Sequence, residues 1–358
     1  MFFSHINQLF AVKTLTLPTM RVIIDDKIPF IEGQLEQLGI QTRYLSGRAI
    51  TREAVASADA LIVRTRTLCN EALLSGSRVR FIATATIGYD HLDTAYLNQA
   101  GIAWTNCPGC NAASVAQYIG SSLLVMRETG VLPSEGGTLG VIGVGHVGSR
   151  VARVARELGF RVLLNDPPRQ ASGETGFQTL DTLTQECDVL TFHTPLVRSG
   201  QWPTFHMADK AFFASLRHRP LLINSSRGEV VDGGALSDAL EQGLIRQAVI
   251  DTWENEPDID RNLLECVAIG TPHIAGYSAD GKANATRMAL EALARHFGID
   301  ATFRIEPPAL PASLIPEADT VRRALQLYDP RRDSEALKNA PDTFEALRGN
   351  YPLRREHF

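Results

Sequence analysis

Short apolar runs rich in branched residues alternate with longer segments of helical period, and this alternation limits the fold more than any motif does. A first series holds RVIID (21–25), ALIVR (60–64), RFIATAT (80–86) and GIAWTN (101–106). A second holds TLGVIG (138–143), RVLLND (161–166), DVLTFH (188–193), PLLIN (220–224), QAVID (247–251) and CVAIG (266–270). Strands buried on both faces read as near-continuous apolar runs, and parallel strands need a crossover between them. The pattern therefore predicts an α/β chain with two Rossmann-like parallel-sheet lobes and a cleft between them. AASVAQYIGSSLLVMRE (112–128) reads as the long helix joining the two series. GKANATRMALEALARHFG (281–298) reads as an amphipathic helix that carries the chain back to the first.

Length and composition set the outer bounds. A chain of 358 residues, 44% hydrophobic and 21% charged, has the make-up of a soluble globular protein of two or three domains. A formal net charge of -5 provides no broad basic field, so neither nucleic acid nor a membrane surface is an expected partner. No apolar run reaches the roughly 18 residues that a spanning helix needs. Residues 1–19 lack the charged start and cleavage site of a signal peptide and are expected to form a disordered extension. Five unevenly spread cysteines suit reduced thiols in the cytoplasm rather than a disulfide framework. Cys107 and Cys110 have C-x-x-C spacing, but no second ligand pair follows, so loop packing is expected and no metal. From about residue 299 the texture changes, through the proline-rich EPPALPASLIPEA (306–318), to an arginine-rich tail.

VIGVGHVGSR (141–150) places Gly143, Gly145 and Gly148 between a strand pattern and a helix pattern. Glycines so placed permit a tight turn and let a pyrophosphate approach a helix N-terminus. Asp166 ends the next strand run, at about the distance where a carboxylate bonds adenosine ribose hydroxyls, so NAD is expected over NADP. Arg169 nearby keeps that preference from being absolute. Three more strand ends carry chemistry: Arg227 in INSSRGEVVD, Glu256 in DTWENEP and His273 in TPHIAG. Oxidising a 2-hydroxy acid needs a base for the hydroxyl proton, a cation for the carboxylate and oxo group, and a hydride acceptor. His273 suits the base and Arg227 the clamp, while Glu256 suits the carboxylate that orients the ring, with Glu254 as the alternative.

The order GVGHVG, Asp166, HTPL, NSSRG, DTWENEP and TPHIAG resembles the D-isomer-specific 2-hydroxyacid dehydrogenases from about Met20 to Gly298. VRTRT, ATATIGYDHLD, PGCNA, NDPPR, HIAGYSADGK and YDPRRD resemble the erythronate-4-phosphate dehydrogenase branch of that family. The resemblance implies NAD-dependent oxidation of 4-phospho-D-erythronate at C2 in pyridoxal phosphate biosynthesis, with Arg227, Glu256 and His273 catalytic. It implies NAD contacts from His146, Val147, Asp166, Thr194, Ser225, Ser226, Asp251 and Gly276, and substrate contacts from Thr65, Thr86 and Tyr277. It further implies a homodimer and a short C-terminal dimerisation element of α/β type. The family's dimerisation domain usually continues past the RRE that here is Arg354–Glu356, whereas this chain stops at Phe358. The expected domains are a substrate lobe of 20–112 and 276–298, an NAD lobe of 113–275, and a shortened C-terminal region of 299–358.

A four-carbon acid phosphate carries a second anion at its far end, beyond the reach of Arg227. Arg64, Arg66, Lys282 and Tyr277 are the expected candidates for it. Two other readings stand beside this one: a related dehydrogenase of the glycerate or phosphoglycerate type, and an NAD(H)-sensing binding module of the same fold.

Overall fold

In the computed structural model, which describes residues 20–310, 320–352 and 354–356, the two series of apolar runs form two all-parallel sheets. The first contains β1 (Arg21–Asp25), β2 (Gln41–Leu45), β3 (Ala60–Val63), β4 (Phe81–Thr84) and β5 (Ala103–Thr105), in the order β2-β1-β3-β4-β5. Its register sets Val22 beside Ala60 and Val63 beside Thr84. The sequence pattern missed β2. QTRYL is an edge strand with no fully buried residue, so it lacks the continuous apolar run that marks the interior strands.

The second sheet contains β6 (Thr138–Ile142), β7 (Arg161–Asn165), β8 (Val189–Phe192), β9 (Leu221–Asn224), β10 (Gln247–Ile250) and β11 (Ile269–Gly270). Their order is β11-β10-β9-β8-β6-β7. Successive side chains on a strand face opposite sides. Leu139, Val141, Leu221 and Ile223 accordingly enter one core, with Tyr118 and Val151, while Ile142, Leu190, Phe192 and Leu222 enter the other, with Phe213 and Trp253. The helix Ala112–Glu128 has the predicted bounds and is buried from Ala112 to Met126 apart from Ala113.

The chain divides into two units. Unit 1 is the described chain up to Asn106 with Ala289–Phe303, and unit 2 is Cys107–Met288 with the described residues from Arg304 onward. The boundaries differ from those expected, since 107–112 and 276–288 group with the second sheet. The helix Ala279–Phe297 is responsible. Its start is tied to unit 2, where Gly281 N donates to Ser278 Oγ and Cys107 Sγ donates to Ala285 O. Its end belongs to unit 1, where His296 stacks on Phe81 at 4.8 Å.

The C-terminal region also differs from expectation. Among the described residues it is helical rather than α/β, with helices Thr320–Leu327, Pro330–Asn339 and Phe344–Gly349 and one isolated bridge between Ser278 and Arg354. These helices spend their apolar residues on unit 2: Leu325 and Tyr328 enter one core, Leu337 and Phe344 the other. Residues 1–19 and 311–319, which hold the expected extension and part of the proline-rich linker, lie outside the described residues.

Candidate active site

Three strand ends of the second sheet supply the reactive groups. After β9, Asn224 Nδ2 donates to Arg227 O at 3.0 Å and closes the loop that presents Arg227. The next residue must be glycine, because a Cβ at Gly228 would lie 1.9 Å from Trp253 O. That close approach sets Arg227 against the loop following β10. There Glu256 Oε1 accepts from Trp253 N at 2.9 Å, and Glu256 Oε2 lies 2.8 Å from His273 Nδ1. Arg227, Gly228, Glu256 and His273 line a cavity of about 500 Å³ that also reaches Arg198 and Phe205. Glu254, the alternative orienting residue, lines the same cavity but is engaged by other partners: it meets His206 Nε2 at 2.7 Å and accepts from Gly233 N at 2.9 Å.

With Nδ1–H committed to Glu256, the neutral ring keeps its lone pair on Nε2, the state a general base requires. Burial acts to raise the Glu256 pKa, but the bond and charge of His273, the Trp253 N–H and the Arg348 guanidinium outweigh it and hold the carboxyl below its ordinary value. Glu256 therefore remains an anion that favours the charged form of the imidazole.

Asp251 explains how His273 is held. It is 1% exposed and accepts from Thr271 Oγ1 at 2.7 Å, Ile274 N at 2.8 Å and Ala275 N at 3.0 Å. Burial pushes its pKa up, while the His273 charge and these donors pull it back. Between those anchored residues His273 takes φ 56, a left-handed conformation that costs a non-glycine residue roughly 1–3 kcal/mol and persists where surrounding bonds impose it. Arg354 grips the same loop from outside, donating to Ile274 O at 3.1 Å and Ala275 O at 2.6 Å.

The glycine loop follows β6. Gly143 has φ 86, and a Cβ on Gly148 would lie 2.0 Å from Gly143 O, so the turn and the close packing both require glycine. Gly145 faces open space and opens the helix His146–Glu157, which has no side-chain cap, so His146 and Val147 begin it with N–H groups available to an anion. Asp166 accepts from Val144 N at 2.8 Å and Arg169 N at 3.1 Å, which leaves further lone pairs for ribose hydroxyls. Thr194 Oγ1 and Ser225 Oγ are buried without a hydrogen-bond partner within the protein. Such groups call for a ligand partner, and together with the open glycine turn they fit a dinucleotide. Ser226 Oγ donates to Asn224 Oδ1 at 2.8 Å, and a Cβ on Gly276 would meet the Asn111 amide, so those two residues shape the walls. Arg169 is bound to the Val144 carbonyl and to Glu174, which diverts it from a 2'-phosphate.

The expected phosphate and substrate residues divide between the units. In unit 1, Arg64 Nε donates to Asp25 Oδ1 at 3.2 Å, Thr65 and Arg66 are exposed after β3, and Thr86 Oγ1 donates to Gly88 O at 2.9 Å. In unit 2, Lys282 Nζ lies 4.3 Å from the centre of the Tyr277 ring. Sequence reading missed Arg348 and passed over Arg354 as a landmark. Arg348 NH1 lies 3.6 Å from Glu256 Oε2. Neither residue stands in a periodic pattern or a glycine-marked turn, so only packing reveals them.

Comparisons with known proteins show the family. Residues 125–275 match the family model described as D-isomer specific 2-hydroxyacid dehydrogenase, NAD binding domain. The chain is 56% identical over 338 residues to an erythronate-4-phosphate dehydrogenase of Bacteroides fragilis, covering 94% of this chain and 97% of that protein. It is 43% identical over 353 residues to one from Salmonella paratyphi A, covering 94% and 92%. Among solved structures it is similar to D-lactate dehydrogenase from Aquifex aeolicus complexed with NAD and lactic acid. That match has a TM-score of 0.61 and 26% identity and covers 80% of this chain and 100% of the other. In fold it also matches NAD-bound 3-phosphoglycerate dehydrogenase from Entamoeba histolytica, with a TM-score of 0.66 and 22% identity over 82% of this chain and 100% of that one.

Proposed function

The chain belongs to the erythronate-4-phosphate dehydrogenases of the D-isomer-specific 2-hydroxyacid dehydrogenase family, and from that premise we propose that it oxidises 4-phospho-D-erythronate at C2 with NAD. The observation that carries the reading is the His273–Glu256 pair at 2.8 Å beside Arg227, in a chain this similar to such enzymes over nearly its whole length. Bound NAD supplies the hydride acceptor. Arg227 clamps the carboxylate and the C2 oxygen, which fixes the C2–H bond for transfer. His273 Nε2 takes the C2 hydroxyl proton as the C2–H pair leaves as hydride, and the product is the 2-oxo acid phosphate. Glu256 stabilises the imidazolium that results. The open turn at Gly145 and the buried hydroxyls of Thr194 and Ser225 hold the dinucleotide, with Asp166 on its ribose and Asp251 shaping the loop beside it.

The candidate ligands for the substrate's phosphate are Arg64 and Arg66 in unit 1, with Thr65 and Thr86 as further polar contacts there, and Lys282 and Tyr277 in unit 2. The protein acts as a cytoplasmic homodimer in pyridoxal phosphate biosynthesis. The free thiols of Cys69, Cys107, Cys110, Cys187 and Cys266 suit a reducing compartment. Among the described residues, no helix is long and apolar enough to cross a membrane. The test is an assay of the purified protein against phosphorylated and unphosphorylated C3 and C4 2-hydroxy acids, with NAD and with 2-oxo acids as acceptors, alongside light scattering for the dimer. A preference for the phosphorylated C4 acid is expected. Equal or better turnover of a C3 acid assigns the chain to another substrate.

A further inference from the structure

The C-terminal helix Phe344–Gly349 does more than cover a core. Phe344 is 1% exposed and packs in the same cluster as Trp253, which leads the Glu256 loop. One turn later, Arg348 turns its guanidinium towards the site. Its NH1 lies 3.6 Å from Glu256 Oε2, the same oxygen that His273 Nδ1 approaches at 2.8 Å. Glu345 Oε1, 3.8 Å away, steadies it from the same helix. Arg348 Nε is buried with no hydrogen-bond partner among the described residues, so the guanidinium is held in a partly dry position. Keeping a cation in such a place is costly unless a nearby anion compensates it.

Resting on the catalytic reading above, we propose that Arg348 is a positioning residue, whose guanidinium keeps the Glu256 carboxylate in place so that His273 keeps its orientation and basicity. The charged groups around Glu256, among the described residues, include Arg198, which lines the same cavity. His273 and Arg348 face it directly, Glu345 lies behind Arg348, Lys282 sits over Tyr277, and Arg227, Glu229 and Glu254 line the same cavity. Glu256 favours the imidazolium. Arg348, on the far side of that carboxylate, is a second cation drawing on the same negative charge.

Arg348→Met, Arg348→Lys and Glu256→Gln in the full chain test this, by following the His273 imidazole signal in NMR titrations and the acid limb of the kcat/KM profile. Removing a cation should raise the His273 midpoint by about half to one pH unit in Arg348→Met, and Arg348→Lys should restore the native midpoint. Glu256→Gln removes an anion and should move it the opposite way. In Arg348→Met, kcat/KM below the shifted midpoint should fall roughly 3- to 10-fold, as the raised midpoint lowers the unprotonated fraction of His273, with NAD binding and Tm kept. A Met variant whose titration superimposes on the native curve overturns the proposal. So does a Lys variant shifted as far as the Met one, or an activity loss that only tracks lost NAD binding or Tm. The NMR arm needs no substrate, so it reads Arg348 even if the assignment of 4-phospho-D-erythronate fails.

Discussion

The two sheets reverse strand order at equivalent points and treat those points in opposite ways. In unit 1 the reversal lies between β1 and β3, where Asp25, at 0% exposed, meets Arg64 at 3.2 Å. In unit 2 it lies between β6 and β8, where Gly143 packs on the His193 backbone, Gly145 opens to space and Thr194 Oγ1 is buried without a protein partner. Ligands of doubly wound sheets bind outside the strand ends at such a reversal. The first switch point carries an ion pair, while the second carries an open glycine turn and lies in the segment that matches the NAD binding domain model. Each unit also buries a carboxylate by different means. Asp25 has a cation, whereas Asp251 has three oriented donors in the His273 loop.

Removing the reactive group of unit 2 should have the largest effect. His273→Ala is expected to lower kcat by roughly 10²- to 10⁴-fold, the usual contribution of a positioned acid or base, with NAD affinity and Tm preserved. Steady-state kinetics with NAD fluorescence titration measures this, and a loss below tenfold would transfer the base elsewhere.

The cations come next. Losing one true phosphate ligand should raise KM for the phosphorylated acid by roughly 10- to 150-fold and leave the weak turnover of unphosphorylated erythronate nearly untouched. Arg64→Ala, Arg66→Ala and Lys282→Ala, each assayed on both acids, sort the candidates. Arg64 is the sharpest case, because its pairing with Asp25 predicts that its loss also lowers Tm. If all three variants lose both activities in equal proportion, none of these cations serves the phosphate.

The smallest effect compares the two carboxylates. Asp251→Asn leaves two backbone N–H groups competing for one amide oxygen and should cost about 1–3 kcal/mol. Asp25→Asn keeps one oxygen for Lys27 N and Arg64 and should cost about 1 kcal/mol or less. Paired thermal melts decide the matter. A larger cost for Asp25→Asn would mean that the ion pair, rather than the donor set, is the stronger device.

Much of this was legible in the chain. The apolar runs announced ten of the eleven strands, since burial on both faces is written locally in branched residues, and the glycine turn with Asp166 announced the dinucleotide. TPHIAG and DTWENEP likewise marked His273 and Glu256. QTRYL escaped because an edge strand needs only a half-buried pattern. Glu254 stood as the alternative to Glu256 until His206 was seen to engage the first and His273 the second. The unit boundary inside the helix Ala279–Phe297 was hidden too, because one helical period continues across it. Period, turn chemistry and short motifs are properties of neighbouring residues, so the sequence by itself determined the layer architecture and the cofactor turn and nominated the candidate reacting groups. The partner of a buried charge lies wherever packing delivers it. Arg354 reaches Ser114 across 240 residues and Arg348 approaches Glu256 from the last helix, and only the tertiary structure decided that the C-terminal segment would hold the catalytic loop.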